Sequence, residues 1–141
     1  MKNDIEMIPF LKKKINELQL RVYELKEMSI NAGAIRYDKD PVQTSPNGGR
    51  LEKMVTEYCE LERQIGFLKI DLKSQIAEFE KIYALMDDDK EKMFLRMKYV
   101  EGVETGEMQK AFACSRWTLY RLDKKALKSY RILRYKTVDV S

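Results

Sequence analysis

Arg116, Trp117, Thr118, Tyr120, Arg121, Lys124, Lys125 and Lys128 lie close together near the C-terminal end of the chain. These residue types handle polyanions. An arginine fork can span guanine O6 and N7, a threonine methyl can touch a thymine methyl, and lysines neutralise phosphates. Between residues 108 and 136 there are nine basic side chains and one acid, Asp123. That density fits phosphate neutralisation, which supplies much of the affinity for duplex DNA. With Leu119 and Ala126 facing inward on a helix, Trp117, Arg121, Lys124 and Lys128 fall on the opposite side, and Thr118 and Lys125 flank them. Trp117 is expected either to face outward towards a partner or to staple the preceding turn.

Little else in the chain points to chemistry. It has 141 residues, 27 Lys+Arg against 23 Asp+Glu, and no His. The usual neutral-pH base and the commonest metal ligand are therefore missing, which excludes serine hydrolases, His-metal sites and Cys/His proteases. Nucleophile, base and oxyanion donor cannot be assembled from what remains, so an enzyme is not expected. Cys59 and Cys114 match no zinc spacing and need no disulfide. Asp87-Asp88-Asp89 lacks the further ligands of a calcium loop, and Asp88 three residues before Glu91 reads as a helix cap. No cofactor or metal is expected. No apolar run approaches the roughly 20 residues of a membrane span, and Met1–Phe10 lacks the apolar core of a signal peptide, so the sequence reads as soluble and intracellular.

The net charge of +4 is unevenly placed. Residues 1–89 hold 14 basic and 17 acidic side chains, whereas residues 90–141 hold 13 basic and 6 acidic. A basic end is thus attached to a near-neutral remainder, a pattern that suggests a polyanion-binding module on a carrier.

The carrier is helical. Leu11, Ile15, Leu18, Val22 and Leu25 alternate at spacings of 4 and 3, predicting a helix from Ile5 to about Met28. Gly33 to Gly49 contains Pro41, Pro46 and Asn47-Gly48-Gly49 and reads as a loop, with Tyr37 and Val42 as its available anchors. The heptad then returns through Tyr58, Leu61, Ile65, Leu68, Leu72, Gln75, Phe79, Ile82 and Met86. A helix over about 50–86 would be roughly 54 Å long and cannot bury its stripe alone. Either the first helix folds back on it or a second chain covers it. Gln75 is the polar position that would help fix register.

After Asp89 the pattern shortens to three helices. Met93, Phe94, Met97 and Val100 share a face, and Gly102 closes that helix in the left-handed conformation. Glu107–Phe112 is short, with Met108, Ala111 and Phe112 inward. After the turn Ala113-Cys114-Ser115, Ser115 caps a last helix to about Tyr135, burying Leu119, Leu122, Ala126, Leu127 and Leu133. A short helix, a tight turn and a longer basic helix make the helix-turn-helix arrangement.

Two phrases carry a resemblance: Phe94-Leu95-Arg96-Met97-Lys98-Tyr99-Val100-Glu101-Gly102, and Ser115-Arg116-Trp117-Thr118-Leu119-Tyr120-Arg121-Leu122 with Ala126-Leu127. Together they resemble the region-4 helix-turn-helix of bacterial sigma-70 factors over about 45 residues. The whole layout, including Tyr37-Asp38 and Val42-Gln43-Thr44-Ser45-Pro46, is similar to small phage and prophage regulators of the RinA/ArpU type. The resemblance implies that Arg116, Thr118, Tyr120 and Arg121 occupy base- and backbone-reading positions. Gln109 and Ala113 depart from it, standing where it implies a small Ala and a turn Gly, and Glu104 stands where a Ser or Thr cap is usual.

The expectation is an all-α chain. Residues 1–86 would form a helical hairpin or coiled-coil oligomerisation region with a loop at 33–49. Residues 87–141 would form a sigma region 4-like helix-turn-helix module. It would regulate phage or prophage genes in the cytoplasm of a bacterial host by binding double-stranded DNA, the helix at about 115–134 entering the major groove. The expected partners are DNA, further copies of the chain with a dimer favoured, and bacterial RNA polymerase. The competing readings are a small terminase-like packaging subunit and a polymerase- or sigma-binding protein that leaves DNA alone.

Overall fold

The computed structural model describes the backbone over residues 4–38 and 46–140 and the side chains over 4–31 and 49–137. All regular structure in it is helical: α1 (Met7–Asp38), α2 (Pro46–Leu85), α3 (Asp89–Leu95), a π-helical turn (Arg96–Val100), α4 (Thr105–Phe112) and α5 (Arg116–Val140). No helix among the described residues is long and apolar enough to cross a membrane.

The expected loop at 33–49 is shorter than the sequence suggested. Helix α1 continues to Asp38, and α2 starts at Pro46. Ala32, Ala34, Ile35 and Arg36 are compatible with a continuing helix around Gly33, and proline is well tolerated in a first helical turn, where its missing N–H leaves no bond unmade. The central residues of that loop, 39–45, lie outside the described residues, as do the side chains of Tyr37 and Val42.

The chain divides into two compact units. One is Leu11–Asp71, made of parts of α1 and α2 side by side. Leu11, Ile15, Val22, Leu25 and Ile65 of the expected stripes are buried, Leu18, Tyr58, Leu61 and Leu68 are half-buried, and Met54, outside the stripes, is buried with them. Lys26 donates to Glu62 at 2.9 Å, and Arg21 approaches Glu57 at 3.5 Å. These pairs are exposed, and solvent screening leaves them little net worth.

The other unit joins Met1–Phe10 to Leu72–Ser141, so its boundaries fall at 10 and 72 and not at 86. Its core explains why. Ile5, Ile8, Phe79, Ile82 and Met86 pack with Phe94, Leu95, Tyr99, Met108, Leu119, Ala126 and Tyr130. Phe79 stacks on Tyr130 with ring centroids 5.9 Å apart. Burying such side chains contributes roughly 1.5–3 kcal/mol each, enough to recruit the first residues of α1 and the end of α2. Ion pairs follow the same route: Arg131 donates to Asp4 at 2.6 Å and to Glu6 at 3.0 Å, and Arg134 to Glu78 at 2.9 Å.

The joints obey local rules. The Asp88 carboxylate accepts from the Lys90 and Glu91 N–H groups, capping α3 as expected. The π-helical turn, not foreseen, follows α3 directly, and Gly102 then reverses the chain at φ +70°. Glu104 occupies the cap position of α4 without a side-chain hydrogen bond.

Burial holds the Tyr99 and Tyr130 phenols well above the ordinary tyrosine pKa, and for Tyr99 the neighbouring Asp123 carboxylate adds to it. A raised folded-state pKa means the neutral phenols stabilise the fold below the unfolded value, and that contribution fades as pH rises through the shifted ones. The melting temperature should therefore fall steeply above about pH 10, the unfolded tyrosine value. Thermal melts of the wild type and the Tyr99→Phe/Tyr130→Phe variant across that range check this; the variant should show the shallower decline.

Candidate nucleic-acid interface

Helix α4 ends in a tight reversal. Ala113 takes the left-handed conformation (φ 51°, ψ 50°). Cys114 N–H donates to Gln109 O at 3.1 Å, and Ala113 N–H to Lys110 O at 3.3 Å. This six-to-one and five-to-two pairing is a Schellman closure, which glycine usually occupies because a Cβ is strained there. Helix α5 then begins under a side-chain cap, as expected: Thr118 N–H donates to Ser115 Oγ at 3.2 Å.

Inside this corner, Met108 is buried and Phe112 half-buried, with the Phe112 ring 5.9 Å from that of Phe94. Ala111, expected inward, is exposed. The inward line of so short a helix runs through Met108 and Phe112, four apart, with Gln109 half-buried beside it, which turns position 111 to solvent. On α5, Leu119 and Ala126 are buried and Leu122, Leu127 and Leu133 partly so. The sequence reading missed Tyr130, four residues after Ala126 and almost fully buried. Its spacing was the available signal.

The eight candidate contact residues, Arg116, Trp117, Thr118, Tyr120, Arg121, Lys124, Lys125 and Lys128, are all exposed. Trp117 is 62% exposed and Tyr120 49%, so Trp117 is no buried staple. Its ring stacks on Tyr120 at 5.4 Å between centroids. Arg121 sits over the indole at 5.9 Å and Lys124 over the phenol at 4.8 Å. Hydrogen bonding and charge at Tyr120 raise the Lys124 pKa above the usual lysine value.

The basic residues of α5 sort into two groups. Arg131 and Arg134 are committed to Asp4, Glu6 and Glu78, and Lys125 leans towards the buried Glu91 carboxylate at 3.9 Å. Arg116, Arg121, Lys124 and Lys128 make no ion pair with a carboxylate among the described residues. Four unpaired cations with two aromatic rings therefore share the outer side of α5.

Asp123, which would oppose an anion, is turned away. Its side chain is only 16% exposed and accepts from Lys98 Nζ, and from the Tyr99 hydroxyl at 3.0 Å. Both donors come from the π-helical turn. No local signal marks this contact, because its partners lie some 25 positions apart. Among the described residues no group of carboxylates and cysteines could hold a metal ion, and Cys59 and Cys114 are not bridged. Comparison with protein-family models, curated proteins and solved structures finds no match.

The left-handed Ala113 gives a direct test of the corner. Ala113→Gly should raise stability by about 0.5–1 kcal/mol, because the strain at positive φ outweighs the extra freedom of the unfolded glycine. Urea denaturation at unchanged slope is the measurement, and a lower midpoint in the variant would contradict it.

Proposed function

We propose that this protein is a sequence-specific double-stranded DNA-binding transcriptional regulator of phage or prophage genes. In this reading α4, the turn at Ala113–Ser115 and α5 form a helix-turn-helix, and α5 lies in the major groove. The observation that carries the reading is the outer side of α5: Arg116, Arg121, Lys124 and Lys128 are exposed without acidic partners, and Asp123 is withdrawn from them. Cations held without a carboxylate partner are available for phosphates and guanine edges at no loss of an existing ion pair. Lys125, leaning on Glu91, would serve as a weaker phosphate contact.

The segments of α1 and α2 in Leu11–Asp71 would supply an antiparallel hairpin that pairs with a second copy. Leu20, Tyr23, Ile30, Phe67 and Ile70 are large apolar side chains left exposed there, and helices with uncovered apolar residues favour association. Two copies would present two α5 helices to neighbouring half-sites. Recruiting or replacing promoter contacts of the host polymerase is the regulatory step this implies. One observation favours a protein partner besides: Ile132 and Tyr135 are exposed beside Lys128 and Lys136 on the same helix. A polymerase-binding surface of mixed apolar and basic character would use that end of α5.

The test is a salt-dependent mobility-shift assay on DNA from upstream of the gene. Binding at low salt should weaken steeply as salt rises, and Arg121→Ala with Lys124→Ala should cost about 2–4 kcal/mol and flatten the salt slope. An unchanged affinity in that variant would refute the reading. Light scattering should return a dimer, whereas a ring of about eight subunits would favour DNA packaging instead.

A further inference from the structure

We propose that the stacked Trp117–Tyr120 pair reads the 5-methyl groups of thymines in the major groove, so that thymine at neighbouring positions is a determinant of the preferred site. The inference rests on the DNA-binding reading above and adds to it which base feature the apolar part of the face selects.

Trp117 and Tyr120 are both substantially exposed, at 62% and 49%, and their rings lie within 24° of parallel. The two rings brace each other, and more than half of the Trp117 surface stays open to solvent. An indole has one donor and no acceptor, and the rest of its edge is apolar. The major-groove edges of the bases carry acceptors, donors and a single kind of apolar group, the thymine 5-methyl. Thr118 adds to the match, since its hydroxyl is engaged with Ser115 at 3.0 Å and its methyl is what remains. Arg121 lies over the indole and Lys124 over the phenol, and these charges favour an anionic occupant. An apolar ledge set among cations fits an anionic surface that exposes methyl groups, and duplex DNA bearing thymines is such a surface.

The experiment starts from duplexes selected by the full-length protein out of a randomised pool, remade with deoxyuridine in place of thymidine. That exchange removes the methyl groups and leaves the hydrogen-bonding edges intact. Affinity is read by mobility shift, and binding also by the fluorescence of Trp117, the only tryptophan. The uridine duplexes should bind about fourfold more weakly for each methyl contacted, the value of burying one methylene-sized group. Trp117→Ala with Tyr120→Ala should bind more weakly and lose most of the discrimination between the two forms, the Thr118 methyl retaining the remainder. Both sites are exposed and alanine is the best helix former, so α5 is retained.

Equal affinity of the wild type for the two forms would overturn methyl reading while leaving duplex binding in place. Tighter binding of unpaired strands, with stronger quenching, would overturn it in favour of base stacking on the rings. Failure to bind any duplex at low salt would remove the DNA-binding reading itself and this inference with it.

Discussion

The outer side of α5 depends on how its inner side is held. Leu119, Ala126 and Tyr130 bury against α3, the π-helical turn and the end of α2, and Ala126 has no exposed surface at all. A side chain as small as alanine lets two backbones approach closely, and any larger residue there would overpack the crossing. That contact fixes the rotation of α5 about its own axis. Once the rotation is fixed, the 3.6-residue period decides that Trp117, Arg121, Lys124 and Lys128 face solvent.

Electrostatics completes what packing begins. A helix this basic repels itself unless some of its charges are compensated. Arg131 and Arg134, on the side that meets the N-terminal residues and α2, are paired with Asp4, Glu6 and Glu78. Asp123 is bonded to Lys98 and Tyr99. Compensation is thus confined to the edges that touch the rest of the unit, and the surplus positive charge collects on the remaining side.

Much of this was legible in the sequence, and the limits have physical causes. The apolar stripes of α1 and α2 announced their helices because period and length reinforce each other, and Ser115 and Asp88 announced caps because capping is local. The extent of α1 was not legible, since a glycine-containing stretch of good helix formers fits both a loop and a helix. Ala111 was placed inward because a two-turn helix leaves the angle of its buried side poorly defined. The Asp123 pairing, the docking of Ile5 and Ile8 on Phe79, and the π-helical turn arise from contacts between distant positions, which no local period encodes. The outward orientation of Trp117, Arg121, Lys124 and Lys128 was recoverable because it needed only two inward anchors, Leu119 and Ala126.

The ladder of Trp117, Tyr120, Arg121 and Lys124 carries one consequence more. Long cationic side chains on a helix surface ordinarily sample many rotamers, and ordering each one at an interface costs about 0.5–1.5 kcal/mol. Here the guanidinium and the ammonium already rest over aromatic rings that brace each other. Part of that conformational entropy is surrendered during folding, before any partner arrives. The rings thus limit the rotamers open to Arg121 and Lys124 on this face.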